Sequence, residues 1–491
     1  MTWADALVCK QAEVTEVLIT MGLADMQREY WVPECIREYL GALGFVLPLE
    51  AMEGHIRSWH EWMQSTGDFY DYRDTDGFGR LYEVHRRSIH PAMRVCQEWG
   101  SLLLNDKTSV VCEDQACTDW LSSFFSANHF MPAAQATVVK AFGLGTGAWV
   151  IWVDVGKKAA KVRHYDARMV VPLTWDEEGV TECAFVTRVF YRGKAFDQLQ
   201  MHVLGPLGTY QIRTVCFDSD GDVIEPEGVI DKYETGSVWP TFSIVRPAVT
   251  NTRVDFSPYG QSIFADAIDA IQAVDLTFDA LISEVDVSKM RVFLSDVMFD
   301  QKTDGKGKRI PIPFGKGDCT VFRKVMSTED MVQEFAPALR TSSQSEAFRI
   351  ALQMLGELTG FGLGYFDFDE SRGYIKTATE VSSDNSALMR NIARHEHLLN
   401  ASLSSIGHAL LHMGRTFGEG LPDEGQITCL FDDSIITDTH AEKEQDMREV
   451  GVTMAPFEYR MKWYSEDEAT ARRMAAEVGV STSDKVAREQ R

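Results

Sequence analysis

The feature that most limits this chain is an apolar seam between residues 264 and 285. Phe264, Ile271, Phe278 and Val285 recur every seven residues, and Ala267, Val274 and Leu281 come three residues after the first three of them. Apolar positions held at that spacing over three heptads form a stripe along one helix, and such a stripe requires another helix to pack on it. Ser257 as N-cap and Pro258 at the first helical position predict that this helix starts at 257 and runs to 289. Asp266, Asp269, Asp279, Glu284 and Asp286 lie off the seam, and no lysine or arginine stands between Arg253 and Lys289. The remaining face is therefore acidic, and on its own the segment is an ordinary amphipathic helix with a solvated side.

Beyond this helix the chain runs out and comes back. Residues 291–325 form a short β-rich excursion, in which Arg291, Lys302, Lys306, Lys308, Arg309, Lys316, Arg323 and Lys324 outnumber Asp296, Asp300, Asp304 and Asp318. Glycine turns at 304–307 and 315–317 flank residues 310–314. The plain account of such a charge cluster is a solvated hairpin tip. The functional one is a basic docking or DNA-proximal surface. A second helix at 343–359 opens with Ser343 and Glu346 at capping-box spacing, carries Phe348, Leu352, Leu355 and Leu358, and ends at Gly360. Residues 361–376 are rich in glycine and aromatic residues and predict a mobile loop. Their acids lack the glycine and terminal glutamate of a calcium loop. A third helix is expected at 384–412.

Taken in order, residues 1–140 have helical periodicity, with helices at 88–104, 117–130 and 132–142 and a loop at 69–78. From 148 the period drops to two. Strands are predicted at 148–155, 162–165, 169–173, 183–191, 199–204, 210–216 and 242–246, which makes an antiparallel sheet beside the helical layer and an α+β class. The tail adds a strand at 426–432 and helices at 441–451, 456–464 and from 465.

Several chemistries are set aside. The run Gly143-Leu144-Gly145-Thr146-Gly147 lies between a helix and a strand, whereas phosphate-cradling loops run strand, loop, helix. A helix C-cap explains it. The formal net charge of −25 argues against gripping nucleic acid along a broad basic face. Nine scattered cysteines without a C-x-x-C pair predict thiols in a reducing cytosol. No signal pattern and no membrane-length apolar run is present, so a soluble intracellular product is expected. His408 and His412 sit one turn apart but lack the glutamate or cysteine of a zinc motif, and His395 and His397 point to different faces. No metal and no cofactor is expected.

The order of parts resembles the portal (head–tail connector) proteins of tailed double-stranded DNA bacteriophages. The residues that carry the likeness are Thr377-Ala378-Thr379-Glu380-Val381, Ser257-Pro258-Tyr259-Gly260 leading to Ile268-Asp269-Ala270 and Val274-Asp275, Leu339-Arg340, and the 143–147 turn. The likeness spans about residues 80–475, and is greatest for the branch bearing the Thr-Ala-Thr-Glu-Val signature. It implies a portal fold of wing (1–256), stem helix (257–290), clip (291–337), second stem helix (338–360), tunnel loop (361–376), long wing helix (377–413), and a final wing strand and small helical crown (414–491). It implies a homo-oligomer, a dodecameric ring at one capsid vertex of the virion, assembled in the host cytoplasm. Genome DNA passes through such a ring in packaging and ejection. The implied partners are the terminase large subunit, the head–tail adaptor, the major capsid protein and scaffold, with no membrane and no catalysis.

Under that resemblance Phe264, Ile271, Val274, Phe278, Leu281 and Val285 pack neighbouring subunits, and Asp266, Asp269 and Asp279 face the channel. Phe361, Gly364, Tyr365, Phe366, Asp367, Arg372 and Lys376 belong to the tunnel loop, with Arg372 and Lys376 its cations. Lys302, Lys306, Lys308, Arg309 and Lys316 form the clip docking surface. The alternatives are another phage structural protein, a minor head or adaptor subunit, or a nucleotide-using enzyme built on the 143–147 turn.

Overall fold

The computed structural model describes residues 30–75, 79–154, 159–191, 194–226, 229–287, 291–295, 301–303, 309–311, 321–324, 332–335, 340–366, 378–431, 443, 446–450, 453–464, 468 and 470–475. Among the described residues two helices come first, α1 (Glu34–Ala42) and α2 (Leu49–Gln64), then a hairpin of β1 (Asp71–Thr75) and β2 (Leu81–His85). Next are α3 (Pro91–Leu103), β3 (Ser109–Cys112), α4 (Gln115–Ala127) and α5 (Phe130–Leu144). The β-rich stretch holds β4 (Gly147–Asp154), β5 (Ala159–Asp166), β6 (Val170–Trp175), β7 (Val180–Tyr191), β8 (Lys194–Leu204), β9 (Tyr210–Phe217), β10 (Val223–Ile224), β11 (Lys232–Glu234) and β12 (Phe242–Val245). Then come α6 (Ile268–Val287), β13 (Arg291–Ser295), β14 (Gln301–Thr303), β15 (Arg309–Pro311), β16 (Val321–Lys324) and β17 (Val332–Phe335). These are followed by α7 (Thr341–Leu358), α8 (Ala378–Thr416), β18 (Ile427–Leu430) and α9 (Pro456–Tyr464). No helix among the described residues is long and apolar enough to cross a membrane.

Strands β6 to β9 form an antiparallel meander, with β10 and β11 both on β9, and β12, β4 and β5 form a second antiparallel sheet. Side chains alternate across the meander, because successive residues of a strand point to opposite faces. Cys183, Phe185 and Tyr210 meet Ala148, Val150, Tyr165 and Phe242 in a small core between the sheets. The intervening residues Ala184, Val186, Leu199, Met201 and Phe217 join the main core, where Tyr39 of α1 meets Phe217 edge-on at 5.4 Å. Residues 69–78, expected to be a loop, contain β1, which pairs with β2 from Asp71–His85 to Thr75–Leu81.

Two histidines are buried in this framework. His202 has Nδ1 2.6 Å from the Thr241 hydroxyl, and burial pulls its pKa to about 3. His395 accepts the Ala248 amide through Nδ1 at 2.9 Å, and burial, aided by Arg394, also takes its pKa to about 3. A folded pKa below the unfolded 6.5 gives stability that is complete above pH 6.5 and is lost as the pH falls toward 3. Each such histidine contributes a slope of about 1.4 kcal/mol per pH unit in that window. The denaturant midpoint is therefore expected to fall steadily between pH 6 and pH 4; a flat profile would contradict neutral burial.

The first long helix does not start at Ser257. The Ser257 hydroxyl accepts the Tyr259 amide at 3.2 Å, which makes a local turn instead of a cap. Beyond it, tertiary bonds take the backbone. The Arg246 guanidinium donates to the Pro258 carbonyl (3.0 Å), the Gly260 amide to the Thr146 hydroxyl (3.0 Å), and the Ile263 amide to the Phe142 carbonyl (2.8 Å). Tyr259 is buried, and its hydroxyl donates to the Val170 carbonyl at 2.5 Å. The helix begins only at Ile268.

The same contact explains the glycine run. α5 continues to Leu144 and is capped by Gly145 at φ 82°, a conformation that glycine adopts without penalty. A Cβ on Gly145 would overlap the Gly260 carbonyl, and one on Gly260 would overlap the Gly145 carbonyl. Two backbones cross there at a distance that only glycine allows, and the turn serves packing.

Candidate functional site

α6 and α7 pack antiparallel. Phe278 and Phe348 meet with ring centroids 6.3 Å apart, and farther along Glu284 receives Nε and Nη2 of Arg340 at 3.1 and 2.8 Å. That bond to Arg340 holds the Glu284 carboxyl below its usual pKa. The helix pair thus brackets the excursion. In it β13 pairs in parallel with β16 and antiparallel with β17, while β14 and β15 form a hairpin. Lys302 stands on β14 opposite Ile310, and Arg309 on β15 opposite Thr303. Lys306, Lys308 and Lys316 lie outside the described residues.

The seam has a different role from the one expected. Phe264, Ile271 and Val274 are fully buried in the chain's own core, so they hold the protomer together and cannot touch a neighbour. Phe278 and Leu281 are partly buried, and Val285 is half exposed. Apolar surface is left open on both helices: Leu276 (46 % exposed) and Val285 (48 %) on α6, and Ile350 (50 %), Met354 (47 %) and Leu358 (48 %) on α7. The spacing of four places the α7 residues on one face of the helix. The sequence carries this signal as a second apolar stripe beside Phe348, Leu352 and Leu355. Periodicity alone does not single out Ile350 and Met354, because one stripe already accounts for a helix. The expected Ser343–Glu346 cap is absent too: α7 starts at Thr341, and Glu346 binds Arg349 at 2.7 Å.

The acids at and before α6 are mostly paired inside the protomer. Asp266 lies in the turn before α6, 2.6 Å from Arg253, and Asp279 lies 3.5 Å from Arg87. Asp269 is exposed in the first turn of α6. Among the described side chains of the expected acidic face, Asp266, Asp279 and Glu284 are paired with arginines and Asp269 is open to solvent.

Asp275 has no signal in the sequence beyond its place in a motif. It is fully buried, and its carboxylate accepts Tyr70 Oη at 2.7 Å, Ser88 Oγ at 2.7 Å and the Ile89 amide at 3.0 Å. Burial and this bond push the Tyr70 phenol well above its usual pKa. The three donors pin the root of the β1–β2 hairpin and the start of α3 to α6. Asp275→Ala is expected to cost about 3 kcal/mol, since it strands three buried donors. Urea denaturation of the purified protein measures this, and a loss below ~1 kcal/mol would show the latch to be idle.

The loop after α7 is anchored where it begins. Phe361 is buried, 4.6 Å from the Trp99 ring, and the Trp99 indole donates to the Thr359 carbonyl at 3.1 Å. Tyr365 packs on Phe361 with the rings tilted and their centroids 4.5 Å apart and donates to Glu98 at 2.9 Å, and Phe366 packs edge-on against both. Gly364 is exposed in the same turn. Phe361, Tyr365 and Phe366 thus pack on one another and on Trp99 and Glu98 of α3. Asp367, Arg372 and Lys376 lie outside the described residues.

The histidine pair is taken up by protein groups. His408 Nδ1 lies 2.9 Å from Glu424, which also binds Arg415, and the ring stacks on Trp239 at 4.3 Å; His412 Nε2 contacts the Thr235 carbonyl at 3.1 Å. Among the described residues no group of three or more His, Cys, Asp or Glu could hold a metal ion.

Comparison with solved structures finds chains from gene transfer agent (GTA) particles. A chain of the neck of the empty GTA particle, computed with C6 symmetry, shares 11 % identity with TM-score 0.42, covering 89 % of this chain and 94 % of that one. A neck chain of the native particle, computed with C12 symmetry, shares 10 % with TM-score 0.39, covering 76 % and 89 %. A chain of the virion of the native particle shares 10 % with TM-score 0.40, covering 89 % and 94 %. No curated protein matches the sequence. The model of the family described as phage portal protein, SPP1 Gp6-like, matches residues 92–479, which is most of the chain, and the protein therefore belongs to that family.

Proposed function

We propose that this portal protein assembles as a ring, of twelve copies in the virion, at one capsid vertex, and that genome DNA passes through its centre. In this reading α6 and α7 are the stem, residues 291–337 the clip that docks the terminase large subunit and later the head–tail adaptor, and residues 1–256 with α8 the wing. The wing also meets the major capsid protein and scaffold, and the tail of the chain is a modest crown. Residues 377–381 assign it to the branch with the Thr-Ala-Thr-Glu-Val signature.

The observation that carries this reading is the helix pair itself. It brackets a separate β-rich unit, buries one stripe of each helix within the protomer, and leaves Ile350, Met354 and Leu358 for another copy. A channel that lets DNA slide needs few fixed cations, because every phosphate contact adds affinity through counter-ion release. α6 carries no lysine or arginine along its whole length, and two of its carboxylates are paired with arginines, Asp279 with Arg87 and Glu284 with Arg340.

The tunnel loop is reduced to residues 367–376, since 361–366 are fixed in the wing. Deleting 367–376 is expected to leave rings intact and to reduce DNA-filled heads at least tenfold. Normal yields of filled heads would remove the loop from the mechanism.

A further inference from the structure

A cavity of about 740 Å³ opens between the segment before α6 and the first half of α8. Arg246, Arg394 and His397 line it together with Asn251, Leu398 and Phe256, and no aspartate or glutamate is among its described lining residues. In a chain of net charge −25 this is an unusual concentration of cationic and neutral groups. Among the described residues the two guanidinium groups donate hydrogen bonds to backbone carbonyls: Arg246 to Pro258 and Arg394 to Ala248. Burial without a carboxylate lowers the Arg246 pKa from its usual value. A partly desolvated guanidinium facing a cavity without a counter-ion is a receptor for an anionic group.

Phe256 supplies the second observation. It is 96 % exposed and stands at φ 56°, a conformation that bulky residues rarely adopt. The Trp175 indole donates to its carbonyl at 3.1 Å and fixes that geometry. The fold thus holds an aromatic ring at the cavity mouth, where it covers nothing of its own chain.

We propose that the cavity receives an acidic turn of a second copy of this chain, with Phe256 as the apolar anchor of the contact. This rests on the ring reading and adds a wing-to-wing contact to the stem. The occupant is assigned to residues 218–225 of the neighbour. That turn exposes Asp220, Asp222 and Glu225 together with Val223 at 58 %, so it offers acids for the arginines and an apolar tip for Phe256. The acidic turn at residues 176–178 is less suited as the occupant, because it is adjacent to Trp175 and so lies beside Phe256 on the same patch. A closed ring needs two different patches meeting head to tail.

The test uses the full-length assembled protein. Phe256→Gly is expected to leave the melting temperature of the protomer unchanged or raised, because the strained φ is relieved. It should at the same time raise the assembly midpoint concentration about tenfold. Arg394→Glu should weaken assembly similarly, and Asp220→Lys with Asp222→Lys in the same chain should restore it. A photo-reactive benzoylphenylalanine at position 256 should link to residues 218–225 of a neighbouring copy. Rings whose midpoints ignore Phe256→Gly and Arg394→Glu, or links that go only to other segments or other proteins, would overturn this contact and leave the ring reading intact. Failure of the unaltered protein to form rings at all would instead remove the ring reading.

Discussion

Replacing Ile350 and Met354 together by aspartate is expected to give a folded protomer that no longer forms rings. Both side chains are half exposed in the protomer, so its stability should change by no more than about 1 kcal/mol for two surface substitutions. In a ring each carboxylate would have to enter an apolar contact, at a cost of several kcal/mol apiece, and the cost recurs at every interface. Size-exclusion chromatography with light scattering measures the outcome directly, as protomer mass in place of ring mass. The contrast with Ile271→Asp is what makes the result specific. Ile271 is sealed in the protomer core, so that change should unfold the chain and tell nothing about assembly.

Gly260→Ala is expected to be among the most damaging single-methyl changes in the chain. The added carbon would overlap the Gly145 carbonyl, which belongs to backbone and cannot swing aside. Relief requires the segment at 257–263 to lift from the α5–β4 turn, which breaks the Gly260–Thr146 and Ile263–Phe142 hydrogen bonds and uncovers Tyr259. A loss of more than about 3 kcal/mol, or no soluble protein at all, should result. Gly145→Ala meets the Gly260 carbonyl and adds a positive φ. Gly54→Ala is the control: it lies in α2 with nothing within 4 Å of the added carbon, and should stabilise by about 0.5–1 kcal/mol. Equal melting temperatures for Gly260→Ala and Gly54→Ala would contradict the crossing of the two turns.

Where a periodicity is uninterrupted, the sequence is a reliable guide. The seven strands expected between 148 and 246 all exist, four of them in the meander, which turns one face toward each core, and three in the second sheet. The helix expected at 456–464 occupies the same residues, with Pro456 at its first position. The differences share a cause: a local signal is overruled by a partner distant in sequence. Ser257 and Pro258 have the chemistry of a helix start, but Tyr259, Gly260 and Ile263 are claimed by β6 and the α5–β4 turn. Phe264, Ile271 and Val274 do form a stripe, but periodicity says only that a stripe is covered and not by which chain. Asp275 is one acid among many in the sequence of α6, and only the fold brings Tyr70 and Ser88 to it from about 200 residues away. The tunnel-loop aromatics read as free because glycines surround them, whereas Trp99 supplies their packing surface.

The central claim is that α6 and α7 of many copies line one pore. Electron microscopy of the purified assembled protein tests it most directly. The account predicts class averages with a central hole, rotational symmetry, and in the refined map α7 of one copy set against the stem of the next through Ile350, Met354 and Leu358. Compact single protomers, or a ring whose α6–α7 pairs point away from the axis with that stripe in solvent, would contradict it.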